Sequence, residues 1–154
     1  MARAELGDRI PDLAVTTHDG TATTLSALAG ERALVVFFYP KAFTPGCTAQ
    51  ACHFRDLAAE FAEVGAARVG VSRDGGDTQA RFAERHEFDF PLIGDRDGAV
   101  ASAFGAKRIG PVPTRRSTYV LDRDLTLRHV VASEVDMERH ADEALAFLRE
   151  RATT

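Results

Sequence analysis

The sequence predicts an α/β fold, a mixed central β-sheet flanked by helices, and three observations predict it. Strand-like apolar runs alternate with helix-like periodicity early in the chain, which is the pattern of parallel strands joined by crossover helices. Two further strand-like runs, separated only by a short acidic turn, come late and add antiparallel strands. An amphipathic helix then ends the pattern.

The elements follow in chain order. Residues 13–17 and 21–25 flank the turn signal Asp19-Gly20 and form a small N-terminal β-hairpin. Residues 33–39, Ala-Leu-Val-Val-Phe-Phe-Tyr, are continuously apolar, β-branched and aromatic, as a strand buried on both faces must be. Pro40, Pro45 and Gly46 then interrupt regular structure in a tight loop. From Cys47 onward Cys47, Ala51, Phe54, Ala58 and Phe61 recur at helical spacing and form one inward stripe. A second strand is expected over 67–72, followed by the turn Asp74-Gly75-Gly76 and a helix over about 78–86. A short strand over 90–93 and a short helix over 99–104 come next. Residues 117–121 and 125–131 form a second hairpin around Asp122-Arg123-Asp124. The last helix runs from about 137 to 149, with Ala141, Leu145 and Leu148 facing inward.

Composition narrows the possible functions. The length of 154 residues suits a single domain over 1–154, and 45% hydrophobic with 27% charged residues is ordinary for a folded chain. A formal charge of −4 gives no electrostatic reason to expect nucleic acid. The longest unbroken apolar run, 33–39, is far too short to cross a bilayer, and the first residues lack a signal-peptide core. A cytoplasmic location is therefore expected, where structural disulfides are uncommon. Two cysteines, Cys47 and Cys52, neither staple a domain of this size nor complete a four-thiolate zinc site. Because 17 of the 19 basic residues are arginines, an arginine near a motif means little until its position is argued.

Cys47 lies where a buried strand ends, a Pro/Gly loop turns and a helix begins. The free N–H groups and positive dipole end of the first helical turn favour an anion, so a cysteine there is expected to be more acidic than a free thiol. Acidity alone supplies only about 2 kcal/mol of barrier reduction, so groups that hold a substrate are also required. Thr44, three residues earlier, offers a hydroxyl on the same loop, and Pro40 and Pro45 restrict that loop. The competing structural reading makes Thr44 a helix N-cap and Cys47 a small core residue.

The segment Tyr39-Pro40-Lys41-Ala42-Phe43-Thr44-Pro45-Gly46-Cys47-Thr48-Ala49-Gln50-Ala51-Cys52 resembles the active site of the peroxiredoxins. It is most similar to the bacterioferritin comigratory protein, or peroxiredoxin Q, subfamily. Pro-x-x-x-Thr-x-x-Cys falls on Pro40, Thr44 and Cys47, and the second cysteine five residues later marks that subfamily. Many relatives carry Glu where this chain has Gln50. The resemblance implies a thioredoxin-like fold and a thiol-dependent peroxidase in which the Cys47 thiolate attacks a hydroperoxide. It implies an arginine on a later strand, here Arg116 in Arg116-Ser117-Thr118-Tyr119; neighbouring Arg115 would point to the opposite face if that strand alternates. It also implies a thioredoxin-like protein reductant, a monomer, and no metal or organic cofactor.

Helix geometry separates the two cysteines. Positions i and i+5 are rotated by about 140° with Cα atoms about 8.7 Å apart, beyond the roughly 7 Å that a disulfide spans. A Cys47–Cys52 bond therefore requires the helix to unwind locally. Alternatives stay open: a one-cysteine enzyme with Cys52 passive, a disulfide oxidoreductase, or a redox-sensing or holdase protein. Metal binding by Cys47, Cys52 and His53 is disfavoured by their spacing. His18, His86, His129 and His140 read as surface residues, and Asp95-Arg96-Asp97-Gly98 as a turn. Phe38, Phe43 and Phe104 are candidates for a pocket wall, with core packing expected for at least two of them.

Overall fold

A computed structural model describes residues 4–107 and 114–152. The N-terminal hairpin pairs β1 (Ala14–Thr16) with β2 (Ala22–Thr24), and the Asp19 carboxylate braces its turn by accepting from the Thr17 hydroxyl and the Thr21 N–H. The second strand ends earlier than expected. Thr24 accepts from the Ala27 N–H and starts α1 (Leu25–Ala29), which closes at Gly30 in the left-handed region. One and a half turns carry too little periodicity to register in the sequence.

The main sheet has the order β5-β4-β3-β6-β7. Its strands are β3 (Ala33–Phe38), β4 (Ala66–Ser72), β5 (Leu92–Gly94), β6 (Ser117–Leu121) and β7 (Leu127–Ala132). β3, β4 and β5 run parallel, whereas β6 pairs antiparallel with both β3 and β7. The continuous apolar run at β3 follows from its central place. Leu34, Val36 and Phe38 enter one core with Leu25 and Ala29 of α1 and Phe104 of α5 (Ala99–Phe104). Val35, Phe37 and Tyr39 enter the opposite core, where α2 (Pro45–Asp56), α3 (Ala58–Glu63), α4 (Gly76–His86) and α6 (Arg139–Ala152) pack. Phe38 and Phe104 thus belong to the core, while Phe43 is exposed.

The inward stripe from Cys47 to Phe61 is carried by two helices rather than one, with the break at Leu57. Arg68 of β4 donates to the Phe54 carbonyl at 2.7 Å, engaging the acceptor that an unbroken helix would offer to the Ala58 N–H. Phe54 and Phe61 stay fully buried across the break; Ala58 is only half-buried. Gly70 of β4 fixes where α2 sits. A Cβ there would lie 2.7 Å from both Phe37 Cζ and Leu92 Cδ2. Its absence seats the Phe37 ring, which stacks on Phe54 with centroids 4.1 Å apart.

The Asp95–Gly98 segment is a turn, as expected, and the Asp95 carboxylate caps α5 by accepting from the Val100 and Ala101 N–H groups. α6 buries Ala141, Leu145 and Leu148 as predicted. The reading of His140 as a surface residue is corrected: it is fully buried on the same inward face, in step with Ala144 and Leu148 at intervals of four. His18, His86 and His129 are half-buried. Among the described residues no helix is long and apolar enough to cross a membrane.

Candidate active site

The end of β3 leads directly into the loop that holds Cys47. Tyr39 anchors it from below, donating its hydroxyl to Gln79 at 2.6 Å, while the Gln79 amide donates to the Ile93 carbonyl at 2.9 Å. Asp74, just beyond β4, accepts from the Ala42 N–H at 2.7 Å and from the Ser72 hydroxyl at 2.6 Å, so the loop is tied to the neighbouring strand. Phe43 adopts φ +68°, a costly conformation for a bulky residue, and rests its half-exposed ring against Phe82 with centroids 5.1 Å apart. Pro40, at the mouth of the loop, is half-buried.

The N-cap reading of Thr44 holds for its backbone only. Its backbone takes the N-cap position of α2 and its carbonyl accepts from the Thr48 N–H at 2.9 Å, yet its hydroxyl makes no capping bond. The hydroxyl instead donates to the Lys41 carbonyl at 2.7 Å. A carbonyl only accepts, so the threonine proton is committed and its oxygen retains lone pairs for an incoming donor. Pro45 opens the helix with a fixed φ and no N–H to leave unpaired. Cys47 follows in the first turn, where backbone N–H groups and the helix dipole favour negative charge.

The Cys47 sulfur is packed into the second core, with the residue only 1% exposed, but one side of it is polar. Arg116 Nη1 donates to Sγ at 3.4 Å and to Gln50 Oε1 at 2.6 Å. Register explains why it is Arg116. Phe38 pairs with Ser117 and Phe37 with Thr118, so the start of β6 lies beside the end of β3. Thr118, opposite Phe37, faces the core that contains Cys47. Arg116, two residues earlier, shares that face and is buried, whereas Arg115 is exposed.

Two further residues complete the setting of Arg116. Gln50 is fully buried and its amide nitrogen faces the Phe38 carbonyl at 3.5 Å, which orients its oxygen toward the guanidinium. It lies three residues after Cys47 on the inner face of α2, a place that the stripe of Cys47, Ala51 and Phe54 did not include. Glu134, following β7, accepts the Arg116 Nε at 3.3 Å through its carbonyl and the Arg116 backbone N–H at 3.1 Å through its carboxylate. No sequence pattern links Glu134 to Cys47, because the contact depends on the β6–β7 pairing.

Cys52 occupies the same continuous helix as Cys47 and is half-buried; both thiols are free. Burial pushes the Cys52 thiol above its ordinary range, an effect opposed by Arg55 and reinforced by Asp56. The structure therefore brings Cys47 and Arg116 into contact and keeps Cys52 on the flank of the helix. His53, considered with the cysteines as a metal ligand, pairs with Asp142 of α6 at 2.6 Å, with Glu138 nearby.

The AhpC/TSA family model matches residues 6–130 of the chain. A peroxiredoxin of Mycobacterium tuberculosis is 51% identical over 146 residues, covering 93% of this chain and 95% of that protein. The crystal structure of the peroxidoxin BcpB from the same organism is 49% identical, covers 94% of this chain and 96% of its own, and superposes with a TM-score of 0.91. Peroxiredoxin Q of Xanthomonas campestris is 36% identical, with coverage of 93% and 96% and a TM-score of 0.83. The thioredoxin-like architecture expected from the sequence is the architecture of these proteins.

Proposed function

We infer the function from one premise: the chain belongs to the AhpC/TSA family, with relatives of the peroxiredoxin Q and bacterioferritin comigratory protein group, and is a thiol-dependent peroxidase. We propose that Cys47 is its nucleophile. The observation that carries this is the guanidinium of Arg116, 3.4 Å from the Cys47 sulfur in a site otherwise closed to solvent. A cation held there stabilises the thiolate and afterwards the charge that develops on peroxide oxygen.

In the proposed cycle the Cys47 thiolate attacks one oxygen of ROOH and the O–O bond breaks. Sulfur gives up two electrons and becomes a sulfenic acid, and the departing alkoxide or hydroxide takes a proton and leaves as alcohol or water. Thr44, with its proton held by Lys41, accepts the hydrogen bond of the peroxide O–H, and Arg116 supports the breaking O–O bond from the other side. Pro40 restricts the loop and shields the sulfur. Cys52 then attacks the Cys47 sulfenic acid, giving an intramolecular disulfide and water. Because the cysteines are too far apart in an intact helix, α2 unwinds locally for this step. A thioredoxin-like dithiol carrier reduces the disulfide and is itself oxidised, and the enzyme works as a monomer in the cytoplasm.

The test is a coupled assay of the full chain with hydrogen peroxide or an organic hydroperoxide, thioredoxin, thioredoxin reductase and NADPH. Rapid turnover that disappears in Cys47→Ser is expected. Absence of peroxide-dependent turnover, together with reduction of insulin disulfides, overturns the reading in favour of a disulfide oxidoreductase. After one equivalent of peroxide, loss of two mass units supports resolution by Cys52, whereas a gain of oxygen that persists supports the one-cysteine alternative.

A further inference from the structure

His140 is the one histidine of α6, it is fully buried, and the cycle above does not use it. Its two ring nitrogens are both engaged. Nε2 lies 2.8 Å from the Ser133 carbonyl and Nδ1 lies 2.9 Å from the Thr118 hydroxyl. A carbonyl can only accept, so Nε2 carries the hydrogen and the Thr118 hydroxyl donates to Nδ1. Burial favours this neutral ring, as does the nearby Arg116 cation.

Both partners of the ring lead to Arg116. Thr118 is two residues beyond it on β6 and faces the same core. Ser133 begins the segment that cradles it: the Ser133 N–H approaches the Arg116 carbonyl at 3.4 Å, and Glu134 holds both the Arg116 N–H and its Nε. The segment is itself folded back on α6, with the Asp136 N–H donating to the Ser133 hydroxyl and the Arg139 N–H to the Asp136 carboxylate. His140 therefore joins the strand that carries Arg116 to the segment that aims it. The far end of the guanidinium is left to Gln50 and the Cys47 sulfur.

We propose that His140 is a positioning residue for the chemistry at Cys47. By holding the Ser133 carbonyl, it sets the Glu134 carbonyl that directs the Arg116 guanidinium onto the sulfur. This rests on the reading of Cys47 as nucleophile supported by Arg116. The mechanism is indirect: the ring touches neither sulfur nor peroxide. A small misdirection of a charged group at a reacting centre is enough to cost an order of magnitude or more in rate.

Two substitutions separate the arms of the ring. In His140→Gln the longer side chain brings an amide N–H to the Nε2 position and keeps the bond to Ser133. In His140→Asn the amide reaches only the Nδ1 position and keeps the bond to Thr118. The readout is the second-order rate of Cys47 oxidation by hydrogen peroxide in the full chain, alongside thermal unfolding. His140→Asn is expected to slow oxidation about tenfold, and His140→Gln to recover it to within about threefold of wild type. A purely structural histidine predicts rates that follow stability, without rescue by Gln. Thr118→Val removes the donor to Nδ1 that fixes the tautomer and tilt of the ring, and so loosens its Nε2–H on Ser133; it serves if His140→Asn does not fold, and a loss of about threefold is expected from it. Wild-type rates in folded His140→Asn, or in Thr118→Val when that variant stands in, overturn this inference alone. A wild-type chain inert to peroxide overturns the proposed function itself.

Discussion

Replacing Arg116 by Met removes the cation and its donors while keeping most of the side-chain volume. The guanidinium nitrogen is 3.4 Å from the Cys47 sulfur. Two unit charges at that separation attract by about 5 kcal/mol at an effective dielectric of 20 and by about 1.2 kcal/mol in bulk water. Arg116 is only 7% exposed, so the lower dielectric is the better guide to the site. The positive charge is spread over three nitrogens, however, and the nearest of them is shared with Gln50 at 2.6 Å. A loss of about 100-fold in the rate of Cys47 oxidation, or about 2.7 kcal/mol, is therefore expected. Arg116→Lys keeps the charge but not the planar fork and should fall between the two. Gln50 loses its donor in the Met variant, which lowers stability by about 1–3 kcal/mol, so unfolding must be measured separately from rate. The chain has no tryptophan to report the reaction, so rapid quenching followed by mass measurement is the suitable assay. Oxidation of a folded Arg116→Met chain within threefold of wild type would falsify the role given to the guanidinium.

Three other perturbations probe the proposed opening of α2 and the packing that holds it. The Cys52 thiol is pushed up by burial, so disulfide closure should quicken as pH rises through and beyond about 8.5. The sign is the same for attack and for opening: the helix gains from burying a neutral thiol below the unwound value and loses that gain above the folded one. A flat rate of closure between pH 7 and 9.5 would sink this. Asp142→Ala removes the 2.6 Å partner of His53 that ties α2 to α6. An exposed side-chain hydrogen bond of this kind contributes at most about 1 kcal/mol, so closure should accelerate by at most about fivefold; slower closure contradicts the assignment. Gly70→Ala puts a Cβ 2.7 Å from Phe37 and Leu92 and should lower stability by about 1–3 kcal/mol, with a fall in Tm that calorimetry or circular dichroism detects. An unchanged Tm contradicts the close fit of Phe37 over Gly70.

Local chemistry wrote most of the fold into the sequence. A central strand with both faces covered must be apolar at every position, and residues 33–39 were legible for that reason. The hairpins were marked by Asp-Gly and Asp-Arg-Asp turns, and α6 by its inward stripe. What escaped notice depended on a distant partner. The break at Leu57 accompanies the hydrogen bond to the Phe54 carbonyl from Arg68, which lies outside the helices, on β4. The burial of His140 was obscured because a lone polar residue on an apolar stripe reads as surface unless its partners are known. Its partners, Thr118 and Ser133, lie 22 and 7 residues away in sequence.

The candidate site divides the same way. Pro40, Thr44 and Cys47 lie within a few residues on one constrained loop, so covalent proximity fixes their relation and the sequence alone determined it. It also determined that Cys52 lies a turn and a half along the same helix, out of reach of Cys47 while that helix holds. The choice between Arg115 and Arg116 belonged to the tertiary structure, because only the β3–β6 register says which face of the strand meets the sulfur. Gln50, Glu134 and the His140 brace were likewise decided by packing. They act on Cys47 through contacts between separate elements, and such contacts leave no spacing in the chain from which to read them.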